Sequence, residues 1–101
     1  MTKKKPIIFA VDDDPQVLKS IKADLRNKYR KEFRIMAASS AQEALEALPQ
    51  IKNKGEDVAL FLSDQRMPSM NGVEFLKQAK RLFPLAKRAL LTAYSEVDAA
   101  I

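Results

Sequence analysis

Short, unbroken apolar runs alternating with helical spacing constrain this chain more than any other feature. Residues 7 to 11, IIFAV, form one such run, and residues 58 to 63, VALFLS, form another. A run without a polar face is what a strand buried on both sides requires. Two further strands are predicted at FRIMAA, 33 to 38, and RALL, 88 to 91. Between them the spacing is helical. Asp14 and Pro15 read as N-cap and first helical residue, with Val17, Leu18, Ile21 and Leu25 as the stripe and an end near Lys28. Ser40 and Glu43 have capping-box spacing ahead of Ala44, Leu45 and Leu48. Pro49 is expected to end or kink that helix, because it removes a backbone donor, and Gly55 marks the turn that follows. Val73, Leu76, Ala79, Lys80 and Phe83 outline a third helix that Pro84 closes. Ser95 with Asp98 looks like the cap of a fourth, with one turn before the sequence stops.

The order β-α-β-α-β-α-β-α predicts an α/β fold, a doubly wound parallel sheet with right-handed crossovers and helices on both faces. A length of 101 residues allows one domain, residues 1–101. In such sheets ligands bind at the carboxyl ends of the strands. The residues placed there are Asp12, Asp13, Asp64 and Thr92.

Composition narrows the chemistry. The chain has no cysteine and no histidine, which removes disulfides, thiol nucleophiles, imidazole bases and soft metal ligands. Any metal must be held by oxygen. The net charge is +5, but the basic residues are dispersed over Lys3 to Lys5, Arg26 to Arg34, Lys52 to Lys54 and Lys77 to Arg88. With no aromatic interleaving or recognition-helix pattern, they read as solvated surface and not as a nucleic-acid face. The first apolar segment spans only residues 7 to 11 and is closed by acids. That is too short for a signal peptide or a membrane span, so a cytoplasmic protein is expected.

Carboxylates delivered to one sheet edge repel each other and call for a compensating cation. With oxygen ligands and room for water, Mg²⁺ is the natural candidate. An ionised Asp is also a nucleophile toward a phosphoryl group, giving an aspartyl phosphate, and a metal neutralises charge on the group in transfer. Asp64 would project from a rigid strand end for this purpose. In the loop after it, Pro68 restrains Met67 to extended backbone, and Gly72 is expected to supply freedom for a tight turn into the next helix. Thr92 offers a hydroxyl for a phosphoryl oxygen. Each has a structural alternative: the DDD triplet as a solvated acidic cap, Asp64 as a turn-capping side chain, Thr92 as a strand-end hydroxyl. Their joint placement at three strand ends favours a site.

Taken in order, IIFAVDDDP, LFLSDQRMPSMNGVEFL and LLTAYS resemble the receiver domain of two-component response regulators, over nearly the whole chain. The resemblance implies a flavodoxin-like strand order, 2-1-3-4 for the strands present. It implies that Asp64 accepts a phosphoryl group from a histidine kinase or phosphotransfer protein, so that the chain is a signalling switch and not an enzyme, though it assists its own phosphorylation and dephosphorylation. Asp13 would bind Mg²⁺ directly, Asp12 mainly through water, and the main-chain carbonyl of Arg66 would complete the protein ligands. Thr92 would swing toward the phosphoryl group as the switch hydroxyl. Asp14 falls outside the family's acidic pair and fits the helix cap.

Receivers also carry a lysine and an aromatic switch residue on a fifth strand, followed by a fifth helix. That lysine is expected roughly 20 residues beyond Thr92, whereas the sequence ends at Ile101. The expectation is therefore a receiver cut short before its fifth βα unit and without an output domain, in which the fourth strand is an edge open to self-association. Loss of the ammonium would impair phosphorylation, since a charge pair at about 4 Å is worth roughly 4 kcal/mol at an effective dielectric near 20. Two rival readings stand beside this one. The first is a receiver-like interaction module inactive in phosphotransfer. The second is a haloacid-dehalogenase-like phosphatase with Asp12 as nucleophile and Asp14 as the second acid of its D-x-D, which leaves SDQRMPSMNG without a role.

Overall fold

Residues 4–91 are described by the computed structural model, and within them the apolar runs are strands. The elements are β1 (Ile7–Val11), α1 (Pro15–Tyr29), β2 (Arg34–Ala38), α2 (Ala41–Asn53), β3 (Val58–Asp64), α3 (Gly72–Leu82) and β4 (Lys87–Leu91). All strand pairs are parallel, in the order β2-β1-β3-β4, as the α/β reading predicts. Thr92 and the helix expected from Ser95 and Asp98 lie outside the described residues. No helix among the described residues is long and apolar enough to cross a membrane.

Every residue of β1 is buried, and strand periodicity sorts them by face. Ile7, Phe9 and Val11 join Ala44 and Leu48 of α2 and Phe75 and Ala79 of α3 in one core. Phe61 of β3 is its centre, with ring centroids 6.1 Å from Phe9, 5.9 Å from Phe75 and 6.1 Å from Phe83. The opposite parity, Ile8 and Ala10, lies on the face that α1 covers. There α1 buries no residue completely, and Val17 of its stripe is 42% exposed.

The helix starts follow local chemistry. Asp14 accepts the N–H groups of Gln16 and Val17 at 2.9 and 3.3 Å, with Pro15 in the first position. Ser40 accepts the N–H of Glu43 at 3.0 Å. The reciprocal half of the box slips by one residue, since the Glu43 carboxylate accepts from the N–H and hydroxyl of Ser39. Gly55 has φ of +70°, so the turn after α2 uses the left-handed freedom of glycine. At the other end of the sheet Arg34 begins β2, one residue later than expected. Its guanidinium pairs with the nearly buried Glu56, which Lys4 also approaches at 3.6 Å. The Arg34 hydrogen bond holds the Glu56 carboxyl below its usual range.

Two expectations are corrected here. Pro49 does not end α2, which continues to Asn53. An interior proline costs about 3 kcal/mol, but the turn beyond it buries Ile51 and sets Lys52 against α3. The Lys52 ammonium donates to the Leu82 carbonyl at 2.8 Å and stands 5.2 Å from the centroid of the Phe83 ring. Tertiary contact outweighs the local penalty. The buried stripe of α3 is also rotated: Phe75, Leu76 and Ala79 are inside, while Val73 is 39% exposed. Phe75 wins because its ring meets Phe61 edge to face.

Among the described residues β4 pairs only with β3. The exposed Lys87 and Arg88 on this strand oppose its pairing with a like-charged second copy.

Pro49 is itself exposed, so Pro49→Ala restores a donor to the Leu45 carbonyl without disturbing the core. A gain of about 1 to 3 kcal/mol in urea unfolding is expected.

Candidate functional site

The site is assembled by strand register. Val11 lies opposite Ser63 in the parallel β1–β3 pair, so Asp12 and Asp64 come abreast one step further on. Asp13 follows on the same turn. One carboxylate oxygen from each of Asp12, Asp13 and Asp64 can be chosen so that all lie within 4.8 Å of one another. They share a cavity of about 450 Å³ with Asp14, Val17, Ile21 and Leu91. Asp14 is at its rim, but its carboxylate is spent on the α1 cap. That commitment counts against the D-x-D parse, which needs Asp14 as a second working acid.

The three acids differ in setting. Asp12 is 5% exposed, Asp64 half-buried and Asp13 exposed. Asp12 Oδ1 accepts the N–H of Asp14 at 2.9 Å. Burial pushes the Asp12 carboxyl above its ordinary range, the Asp14 amide opposes the rise, and repulsion from Asp64, Asp13 and Asp14 adds to it. Such a cluster stores repulsion that a bound cation relieves. The donor set is entirely carboxylate, in a chain that lacks histidine and cysteine, and it fits a hard divalent cation such as Mg²⁺.

The β3–α3 loop departs from expectation at Gly72. Its φ is not in the left-handed region, so conformational freedom is not its purpose. A Cβ there would lie 2.4 Å from the Asp64 carbonyl oxygen and 2.8 Å from Leu90 Cδ2. Glycine is required because α3 begins directly against the last peptide of β3. Met67 packs partly buried against the core, as does Met70, while Pro68 is exposed. Arg66 is an exposed residue two positions beyond Asp64. Sequence reasoning missed Ser69, whose φ of +70° sits in a turn closed by the Met70 N–H on the Pro68 carbonyl at 2.8 Å. This is γ-turn geometry, rare for a residue other than glycine, and serine gave no signal of it. Gln65 was also missed; it accepts the N–H of Gly72 through its carbonyl at 3.1 Å.

Fold and site together define a doubly wound α/β domain with a cation-fitting acidic pocket at the ends of its first and third strands. The family model for the response regulator receiver domain matches residues 8–101, and the chain belongs to this family. It is 33% identical over 98 residues to the hydrogenase transcriptional regulatory protein HoxA of Cupriavidus necator, covering 97% of this chain and 18% of that protein. It is 31% identical over 98 residues to the DNA-binding transcriptional regulator NtrC of Escherichia coli K12, covering 97% of this chain and 19% of that one. The chain thus spans about a fifth of the length of these curated relatives. A CheY-like receiver domain protein from Methanospirillum hungatei superposes with a TM-score of 0.73 at 29% identity, over 96% of this chain and 71% of that one.

Two outcomes are expected. In metal-free buffer, a carboxyl with a raised folded-state pKa stabilises the fold fully below its unfolded value. That contribution is lost as pH rises through the folded value. Asp12→Asn, which keeps the acceptor for Asp14, should therefore melt at a higher temperature than wild type at pH 7 in chelator. The gap should close toward pH 4 or on adding Mg²⁺. Gly72→Ala should cost about 2 to 4 kcal/mol in chemical denaturation, since backbone is what its Cβ meets.

Proposed function

We propose that this receiver domain is a phosphoacceptor switch in which Asp64 takes a phosphoryl group from the phosphohistidine of a kinase or phosphotransfer protein. The observation that carries this reading is the convergence of the Asp12, Asp13 and Asp64 carboxylates at the end of the central strands. Asp64 is the nucleophile because it is the terminal residue of β3, a strand that pairs with both β1 and β4, and is itself held opposite Leu91. Asp12 is the more deeply buried of the two.

A carboxylate oxygen of Asp64 attacks phosphorus as the P–N bond to the donor imidazole breaks, and the imidazole keeps the electron pair and takes up a proton. Asp13 and Asp64 would hold Mg²⁺ directly, Asp12 would act mainly through water, and the Arg66 main-chain carbonyl would complete the set. When bound, the ion supplies charge neutralisation for the transferring group. Asp12 and Asp13 orient it, and the rigid β3 end keeps Asp64 in line. Thr92 follows Leu91, the strand partner of Asp64, and its hydroxyl serves as the switch that reads the acyl phosphate. HoxA and NtrC are transcriptional regulators by name. For this chain, control of an output module of that kind is part of the proposal.

Incubation with acetyl phosphate and Mg²⁺, followed by intact mass and peptide mapping, tests the reading. Wild type should gain one phosphoryl group at Asp64, Asp64→Asn none, and Asp12→Asn should label at least about tenfold more slowly at limiting Mg²⁺. Label on Asp12 would indicate the phosphatase chemistry instead, and no label on wild type would leave an interaction module.

A further inference from the structure

We infer that Gln65, the residue after the proposed phosphoacceptor, is a positioning residue that clips the acidic pocket to the first turn of α3; this inference rests on the receiver reading above. A helix leaves its first N–H groups without intrahelical partners, and they are usually met by residues at its own entry. In α3 only one is met that way, where Asn71 Oδ1 accepts the N–H of Glu74 at 2.9 Å. The other two go back across the loop to one residue. The main-chain carbonyl of Gln65 accepts the N–H of Gly72 at 3.1 Å, and its side-chain Oε1 accepts the N–H of Val73 at 3.0 Å.

The consequence is a closed ring of backbone beside the site. On one side Asp64 is held in the sheet opposite Leu91. On the other, Gly72 is pressed on the Asp64 carbonyl, with no room for a Cβ. The Gln65 side chain ties the peptide between these anchors to α3. This limits rotation at residues 64 and 65, and with it the directions of the Asp64 carboxylate and of the Arg66 carbonyl beyond. The choice of amide has an electrostatic reason. A glutamate here would cap the helix with the same acceptor but would put another negative charge beside three carboxylates. Glutamine caps without adding charge.

The test uses the full chain and three variants. Gln65→Met is close to isosteric but has no acceptor, Gln65→Glu keeps the acceptor, and Asn71→Ala removes the ordinary cap of the same helix without touching residue 65. Mg²⁺ affinity is measured by calorimetry well below the melting temperature. Amide exchange of Val73 is followed by NMR in metal-free protein, and labelling by acetyl phosphate is measured at limiting and saturating Mg²⁺. We expect Gln65→Met to lose Val73 protection and about tenfold in Mg²⁺ affinity, the low end of what outer support of a metal site costs. It should still label at the wild-type rate when Mg²⁺ is saturating. Gln65→Glu should restore the protection and bind Mg²⁺ at least as tightly as wild type. Asn71→Ala should lower the melting temperature yet keep Mg²⁺ affinity within about twofold.

If wild type binds Mg²⁺ and labels while Gln65→Met stays within twofold of it, Gln65 is no more than a helix cap. An equal tenfold loss in Asn71→Ala would likewise reduce Gln65 to a structural cap. Failure of wild type to bind Mg²⁺ at all would overturn the phosphoacceptor reading and this inference together.

Discussion

Parallel pairing between β1 and β3 sets the position of every group in the acidic pocket. The two strands are the most deeply buried in the sheet, and their register is irregular at its start: Ile7 lies opposite Val58, but Ile8 lies opposite Leu60. That one-residue slip does two things at once. It puts Phe9 against Phe61, so that large side chains of both strands share the α2–α3 face. It also advances β3 by one residue relative to β1, which aligns Asp64 with Asp12. Continued without the slip, the initial register would set Ser63 there instead. A single-residue change of register in a strand reverses faces as well as offsets, so core packing and site geometry are held by the same constraint.

The pocket is unfavourable taken by itself. Asp12 is buried among other carboxylates, and among the described residues the Asp14 amide favours its charge. The surrounding scaffold tolerates this because it is stabilised elsewhere, through the aromatic cluster at Phe61 and the Arg34–Glu56 pair at the far end of the sheet. The acidic cluster of Asp12, Asp13 and Asp64 stands apart from those contacts, at the carboxyl ends of β1 and β3. The cost of the site is thereby spatially separated from the contacts that keep the fold.

The entry of α3 shows how closely fold and site are joined. Gly72, Gln65 and Asn71 meet the first three N–H groups of the helix or make room for it, and the loop they close includes the γ-turn at Ser69. Glycine in the sequence signals special backbone, but it does not say whether a positive φ or a close approach is the reason. Gly55 has the first and Gly72 the second. The distinction rests on which atoms lie across from the Cβ direction, and that is tertiary information.

Residue order alone determined the strand–helix alternation, the caps at Asp14 and Ser40, and the delivery of Asp12, Asp13 and Asp64 to strand ends. All of these follow from local periodicity, local hydrogen bonding and the direction of parallel strands. Packing decided the rest. Pro49 stays inside α2 because Ile51 and Lys52 have partners on and beyond α3. Phe75, not Val73, is buried because Phe61 waits for a ring at that angle. The acids converge because a register slip aligns them. Each of these outcomes compares a local preference of a few kcal/mol with contacts made by residues far away in the chain, and the sequence carries the first quantity without the second.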